Sequence, residues 1–494
     1  MERPNILFIM SDDHAANAIS AYASRLAGVF QTPNLDRIAE DGVLLTDFFS
    51  TNAICTPARA SILTGQYGHI NGVRTLDDSL PAGYAPNLAH MLNSAGYATA
   101  LFGKWHLHCN PEGFDEFKYL SGEHGQGTYQ DPEFTEKGKG VVYHHGYVTD
   151  IITDMCEDWL RARPTDRPFF LMCHHKAPHD FWEYPKRHEH DFDRVDIPLP
   201  DTLFEDRSHR SVASRDFGSS VTPRNPVRSL YADFTRPDYV TGSLTGTEKM
   251  TFREKGIAAY QKYLKDYLRT VAGIDDSVGR LLDELERQGV LDDTLVVYTS
   301  DQGMFLGEHD YQDKRWSFEE GLQAPFMVRY PRTLERGGVR TGLMANIDIA
   351  PTLLEYAGVP VPAEMQGRSF RGVLEGHPGA KPRDELYFRY WMHRAHRHDV
   401  PAHFGIRTDR WKLIFFYGLP LDAAGALNDP SPSGWELYDM INDPFECINL
   451  YREPGIEPLV RNLKNRLFNA RQEFGDTDKE FPELAELMRM TGSE

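Results

Sequence analysis

Short apolar runs alternate with segments of helical period through most of the chain, the pattern of a sheet with helices packed on it. Ile6–Met10 predicts a first strand buried on both faces, because its apolar positions run on without polar interruption. Further strands are predicted at Val43–Phe49, Tyr97–Phe102, Pro168–Cys173, Thr294–Thr299 and Pro325–Tyr330. Helices are predicted at Pro33–Asp41, with Thr32 as N-cap, and at Pro57–Leu63, Asn87–Ser94 and Tyr147–Arg161. Glycine closes the longest helical stretch, Phe252–Gln288, at Gly289.

The rhythm changes twice. Residues 184–247 are dense in Asp, Arg, Pro and Ser with little periodicity, which predicts a long insertion over the sheet edge serving as a lid or mobile excursion. From about Pro382 short strands follow one another (Glu385–Tyr390, Phe404–Thr408, Trp411–Phe416) before a terminal helix near Glu457–Phe474. The expected organisation is an α/β catalytic domain over 1–380 and a small α+β domain over 381–494.

Charge narrows the function. With 53 Lys plus Arg against 73 Asp plus Glu the chain carries −20, which argues against general nucleic-acid binding but permits a local cationic pocket. The five cysteines are too few and scattered for a disulfide framework. No apolar run approaches the ~18 residues that span a bilayer, and Ile6–Met10 is too short for a signal segment. The expectation is a protein without membrane attachment or export signal, hence cytoplasmic, or periplasmic if a signal has been removed.

Chemistry gathers where the strands end. Ser11-Asp12-Asp13 follows the first strand, Gly103-Lys104-Trp105-His106 follows Tyr97–Phe102, His174 to His179 follows Pro168–Cys173, and Ser300-Asp301-Gln302-Gly303 follows Thr294–Thr299. Ligands of open α/β sheets bind outside the carboxyl ends of strands, so these four segments describe an active site. Any one Asp after a strand is more often a loop or cap residue; several together reverse that preference. Asp12, Asp13 and Asp301 would repel if gathered alone, and a divalent cation resolves the repulsion. With Gln302 the ligand set is all oxygen, which favours Ca²⁺ or Mg²⁺ over zinc. A lone cysteine is usually a small buried hydrophobe. Cys55, however, sits at the mouth of a helix beside Arg59, where anions and reactive groups are favoured.

Cys55-Thr56-Pro57-Ala58-Arg59 with Leu63-Thr64-Gly65 resembles the signature of the type I sulfatases of the alkaline phosphatase superfamily, whose Cys-x-Pro-x-Arg core the formylglycine-generating enzyme recognises. Asn5 to Asp13, Thr32 to Asp36, Gly103 to His106, Pro178-His179, Ser300 to Gly303, Leu306 to His309, and Lys314 with Pro325 agree in the family's order. So do Gly405 to Thr408, Lys412-Leu413 and Glu436 to Asp439 of the small domain, while about 110–165 and 184–247 match weakly. The resemblance implies an alkaline phosphatase-like fold with a large, mixed, mostly parallel sheet. It further implies that Cys55 is oxidised to formylglycine, whose hydrate attacks sulfur through one hydroxyl and expels sulfate through the other. Asp12, Asp13, Asp301 and Gln302 would hold the metal, Ca²⁺ with Mg²⁺ as the alternative. Arg59 and Lys104 would steady the diol and sulfate, His106 would accept the proton of the elimination, and His179 and Lys314 would bind sulfate, His179 protonating the leaving oxygen. The family position after Asp301 is commonly Asn or His; Gln302 keeps the amide oxygen on a longer arm.

Asp301-Gln302-Gly303 with Asp313 to Trp316 resembles the carbohydrate sulfatases, so the expected substrate is a sulfated saccharide or small molecule. His175, His309 and His403 are the candidate substrate contacts; His174 and Asp180 flank His179, and Trp105, Trp182 and Trp316 are candidate stacking faces against the commoner outcome of burial. His393, His396, His398 and His403 fit no standard zinc spacing. Two other readings remain: a phosphonate monoester or phosphodiester hydrolase of the same superfamily, disfavoured by Lys104 and His106, and a sulfated-glycan binder without turnover, which requires Cys55 to stay a thiol.

Overall fold

The computed structural model describes residues 3–122 and 125–491. Ten strands form the main sheet: β1 (Asn5–Ser11), β2 (Val43–Leu45), β3 (Ala98–Gly103), β4 (Glu116–Leu120), β5 (Glu133–Glu136), β6 (Gly140–Tyr143), β7 (Phe169–His174), β8 (Thr294–Ser300), β9 (Phe326–Arg329) and β10 (Gly338–Arg340). Their order is β10-β2-β9-β8-β1-β7-β3-β4-β5-β6. The centre, β8-β1-β7-β3-β4, is parallel throughout. Strand β9 pairs antiparallel with β8 and β2, and the outer β5 pairs antiparallel with both β4 and β6.

The apolar runs of the central strands follow from burial on both faces. Ile6, Phe8 and Met10 enter one core with Phe170, Met172 and Val297, while Leu7 and Ile9 enter the other with Phe169, Leu171 and Tyr298. The first core is covered by the helix Cys55–Thr64 and its neighbours, the second by Val148–Ala162 and the 36-residue helix Phe252–Arg287. A capping box starts that long helix, Thr251 accepting from the Glu254 N–H and Glu254 from the Thr251 N–H.

Three expectations need correction. Thr32 stands at the helix start but makes no capping bond, because its hydroxyl is engaged with Ser20 and Asp36. Val43–Phe49 breaks into β2 and a two-residue strand, Phe48–Phe49, that joins a different sheet. The 184–247 insertion is not a loose excursion: Ile197, Leu203, Val221, Leu230 and Phe234 pack on Tyr260, Tyr263 and Tyr267 of the long helix. Its apolar residues are too widely spaced to show a period, yet the tyrosines give them one common surface. The hairpin β5–β6, with most of its residues partly or fully exposed, lacked a legible pattern for the same reason.

A second, antiparallel sheet is built from β11 (Glu385–Tyr390), β12 (His403–Thr408), β13 (Trp411–Phe416) and β14 (Gly434–Asp439), with the helix Glu457–Phe474 against it. Its apolar face shares one core with Phe49, Ile54, Trp316 and Phe318 of the preceding chain. Asp476, just past the helix, accepts from the Tyr387 hydroxyl and from Arg389, with Arg471 at 3.8 Å. Burial alone would raise its carboxyl, but Arg389, His69 and Arg471 bring it down from 3.8 to about 2. A depressed folded pKa stabilises the fold above the unfolded value and loses that contribution as pH falls towards 2. Asp476→Ala is therefore expected to cost about 3–5 kcal/mol at neutral pH, because it strands a buried guanidinium, and to cost much less near pH 2. Denaturant unfolding at the two pH values measures both.

Candidate active site

Register places the four chemical segments at one level. Met10 lies opposite His174 and Thr299, Ser11 opposite Ser300, and Gly103 opposite His174, so β1, β3, β7 and β8 release their polar residues at the same edge. Gly103 is required there: its φ is 110°, and a Cβ would lie 1.8 Å from the His174 carbonyl oxygen. Asp13 and His106 adopt left-handed backbone (φ 65° and 58°), as do Asp313 (75°) and Arg315 (79°) on either side of Lys314. Non-glycine residues held in that region mark places where side-chain direction outweighs backbone comfort.

Asp12, Asp13 and Asp301 each offer a carboxylate oxygen within 4.8 Å of the others, all fully buried. Three cations neutralise them. Arg59 reaches Asp301 at 2.9 Å and Asp12 at 3.5 Å, Lys104 pairs with Asp12, and Lys314 meets Asp13 at 2.6 Å. Burial nevertheless raises the Asp13 carboxyl, the effect of Lys314 and His179 notwithstanding. The Gln302 amide nitrogen donates to Asp13 Oδ1 at 2.5 Å, while Gln302 Oε1 is buried and accepts no hydrogen bond. A buried acceptor left over beside three carboxylates fits a hard divalent cation with oxygen ligands. The longer arm of Gln302 does not take its oxygen out of the site.

Cys55 opens the helix Cys55–Thr64, and its sulfur lies 3.5 Å from Asp12 Oδ1. The same sulfur, Asp12 and a ring nitrogen of His179 lie within 4.8 Å of one another. Position at a helix mouth does not activate this thiol. Burial pushes it up to about 12, against the opposing influence of Lys314 and Arg59. As a thiol, residue 55 is inert at neutral pH.

Two imidazoles flank this centre. Burial lowers His106 well below its ordinary value, with Lys104 and Arg59 adding to it, so its ring is neutral. His179 is lowered by burial, Lys314 and Lys104. His179 Nε2 lies 3.7 Å from Asp13, and its Nδ1 faces Asp180 at 2.7 Å. Beyond them runs a chain of polar contacts: Asp180 with Arg228 at 3.1 Å, Arg228 with the His398 ring, His398 with Asp313 at 3.0 Å, and Asp313 with Arg315 at 2.7 Å. His179, Asp180 and Arg228 keep 14%, 18% and 15% of their side chains exposed while Asp12, Lys104 and Lys314 keep 3% or less, so the centre is less covered on this side.

The three histidines expected to touch substrate do not reach the opening. His175 is fully buried against Ser277 of the long helix, its Nε2 at 3.1 Å. His309 is fully buried between Glu205, at 2.7 Å, and the Phe318 ring. His403 donates to the Pro401 carbonyl at 2.8 Å and stacks between Tyr390 and Trp316; burial lowers it to about 4. Each spends one ring nitrogen on an interior partner. Trp105, Trp182 and Trp316 are likewise core residues. From the histidine cluster it is His398 that arrives beside the centre. Arg228 and Gln126, which touches Lys104, were not legible at all, since both lie in segments without periodicity.

The sulfatase family profile matches residues 4–359, and one described as N-sulphoglucosamine sulphohydrolase, C-terminal, matches residues 307–473. Over 97% of this chain and 88% of the relative, the sequence is 38% identical to an N-acetylglucosamine-6-O-sulfatase of Bacteroides thetaiotaomicron. An ulvan-active sulfatase of Formosa agariphila is 25% identical over 97% of this chain and 83% of its own. A solved structure described as a complex with its substrate D-glucosamine-2-N,6-O-disulfate matches with a TM-score of 0.85 and 37% identity, covering 97% of this chain and all of the other. A phosphonate monoester hydrolase from Silicibacter pomeroyi shares the fold (TM-score 0.71, 21% identity, 97% and 96% covered).

Proposed function

We propose, from the premise that this chain belongs to the sulfatase family and hydrolyses sulfate esters, that its substrate is a glucosamine-type sugar bearing the ester on its 6-hydroxyl. The observation that carries the reading is the convergence of Arg59, Lys104, Lys314 and His179 on residue 55 and its neighbouring carboxylates, beside a wall of hydrogen-bonding groups. Likeness to a 6-O-sulfatase over nearly the whole chain supports the sugar and the position.

The family uses a metal and a formylglycine made from cysteine. Asp12, Asp13, Asp301 and Gln302 would hold the ion, and the all-oxygen donor set favours Ca²⁺. When present, the ion offsets the charge of nucleophile and sulfate, and the modified residue 55 supplies the nucleophile. The chain's own side chains do the rest. Asp12 shares one small volume with residue 55 and His179, which sets the line of attack. Lys104, Lys314 and Arg59, now spent on carboxylates, are the donors a sulfate recruits once a cation relieves them. His179 lies on the open side, where the leaving oxygen must depart, and protonates it. The buried, neutral His106 takes up the proton released as sulfate leaves. A sugar alkoxide is a poor leaving group, so the proton at His179 matters more for a saccharide than for an aryl ester.

Every residue of the helix Cys55–Thr64 is buried, so the formylglycine-generating enzyme must act on Cys55 before the helix is enclosed. Matured protein is expected to release sulfate from glucosamine 6-O-sulfate and its N-acetyl form at least about 100-fold faster than from the 3-O isomers, because a wall that hydrogen-bonds one orientation leaves groups unpaired in another. Ion chromatography of released sulfate measures this. Equal rates on the isomers, or preference for a phenyl phosphonate over nitrophenyl sulfate, would overturn the reading.

A further inference from the structure

One amide links the two groups that leave β3. Lys104 and His106 are two residues apart, and the left-handed backbone of His106 sets the direction of its ring. Gln126 follows β4, which is the parallel neighbour of β3 and ends at the same edge. From the loop after β4, Gln126 Oε1 accepts from the Lys104 ammonium, and Gln126 Nε2 lies 3.5 Å from His106 Nε2.

The loop is shaped to deliver this one side chain. Gly125 and Gly127 flank Gln126 with φ of 82° and 66°, conformations that other residues adopt at a cost. A Cβ on Gly125 would already touch the His106 ring at 3.6 Å, and one on Gly127 would collide with Leu120 at 2.9 Å. The backbone is thus laid directly against the imidazole, and the polar side chain has its partners inside.

The two ends of a carboxamide are not interchangeable. Its oxygen only accepts, which suits an ammonium; its NH₂ only donates, which suits a ring nitrogen without hydrogen. The reversed amide would set NH₂ against ammonium and oxygen against a lone pair. The orientation seen therefore assigns the His106 hydrogen to Nδ1 and leaves Nε2 without one, its lone pair facing the Gln126 amide.

We infer that Gln126 is a positioning residue of the sulfatase reaction, holding Lys104 and His106 in register and His106 in the Nδ1–H tautomer, whose hydrogen-free Nε2 gives up the 3.5 Å contact with Gln126 when it takes a proton. This rests on the reading above that both residues serve turnover. It explains why a segment with no legible pattern carries a glutamine between two left-handed glycines.

The test uses matured full-length protein with glucosamine 6-O-sulfate. Gln126→Ala is expected to lower kcat about 10–100-fold with KM within about twofold, the scale of lost orientation at a reacting group. Gln126→Glu fills the same space and keeps an acceptor for Lys104 but has no donor, so it lowers kcat comparably; a space-filling role would leave it near wild type. ¹⁵N-imidazole spectra should show a single Nδ1–H tautomer at His106 in wild type and loss of that preference in both variants. A KM rise with unchanged kcat would make Gln126 a substrate contact instead, and unchanged kinetics with an unchanged tautomer would also overturn the inference. Lys104→Ala and His106→Ala run beside them. If these keep full turnover, the assignment of the reaction to this centre fails; if they lose it and the Gln126 variants do not, only the role of Gln126 fails.

Discussion

Cys55→Ala is expected to abolish sulfate release, by about 10⁴-fold or more, while the protein folds as before. The size follows from what is lost: the atom that attacks sulfur, at the point where Asp12 and His179 converge. Folding should be spared, because the change deletes one buried sulfur whose polar contact is with Asp12 at 3.5 Å. Unmodified wild type should fail equally. With the thiol pushed to about 12, its thiolate fraction at pH 7 is roughly 10⁻⁵, since each unit of pKa is a factor of ten. Turnover should therefore track the fraction of Cys55 converted, read by peptide mass analysis on the same preparation. Undiminished turnover by Cys55→Ala would remove residue 55 from the reaction.

The second large effect concerns Asp301. Its carboxylate faces the proposed ion from β8, and its Oδ2 anchors Arg59 at 2.9 Å. Asp301→Ala removes a ligand and leaves Arg59 with the Asp12 carboxylate at 3.5 Å and the Lys104 carbonyl at 2.6 Å. We expect a loss of about 10³-fold or more in kcat/KM, loss of bound metal by elemental analysis, and no recovery on adding calcium. Wild type stripped of metal should melt lower and regain its Tm when the ion is returned, because a ligand that binds only the folded state stabilises it by mass action. The variant should lack that calcium-dependent rise. Asp301→Asn, of the same shape, separates ligand charge from packing: if it binds metal and turns over as wild type does, the carboxylate is not what holds the ion.

The elements that place this centre were plain in the sequence. Strands β1, β3, β7 and β8 are apolar enough to be read singly, since burial on both faces leaves few polar interruptions. Their polar ends then collect at one edge, as parallel strands in register must. The three aspartates were found in that way, Cys55 and Arg59 from the Cys-x-Pro-x-Arg motif at a helix mouth, and they do come together. The histidines show the limit. His175 follows a strand end just as His174 does, yet its ring lies against Ser277, more than a hundred residues away. Spacing identified a group of histidines near 400 but not which of them would arrive: His398 meets Asp313 while His403 disappears beneath Tyr390.

Residue order alone therefore settled the sheet, the edge that bears the chemistry, and the kinds of side chain gathered there. Those depend on burial patterns within a few residues, which a linear chain records directly. Tertiary packing decided which cation neutralises which carboxylate, that the Cys55 thiol is silenced rather than activated, and that a glutamine from an unpatterned loop spans Lys104 and His106. Desolvation and partner choice are set by atoms from distant segments meeting in space, and no local period encodes them.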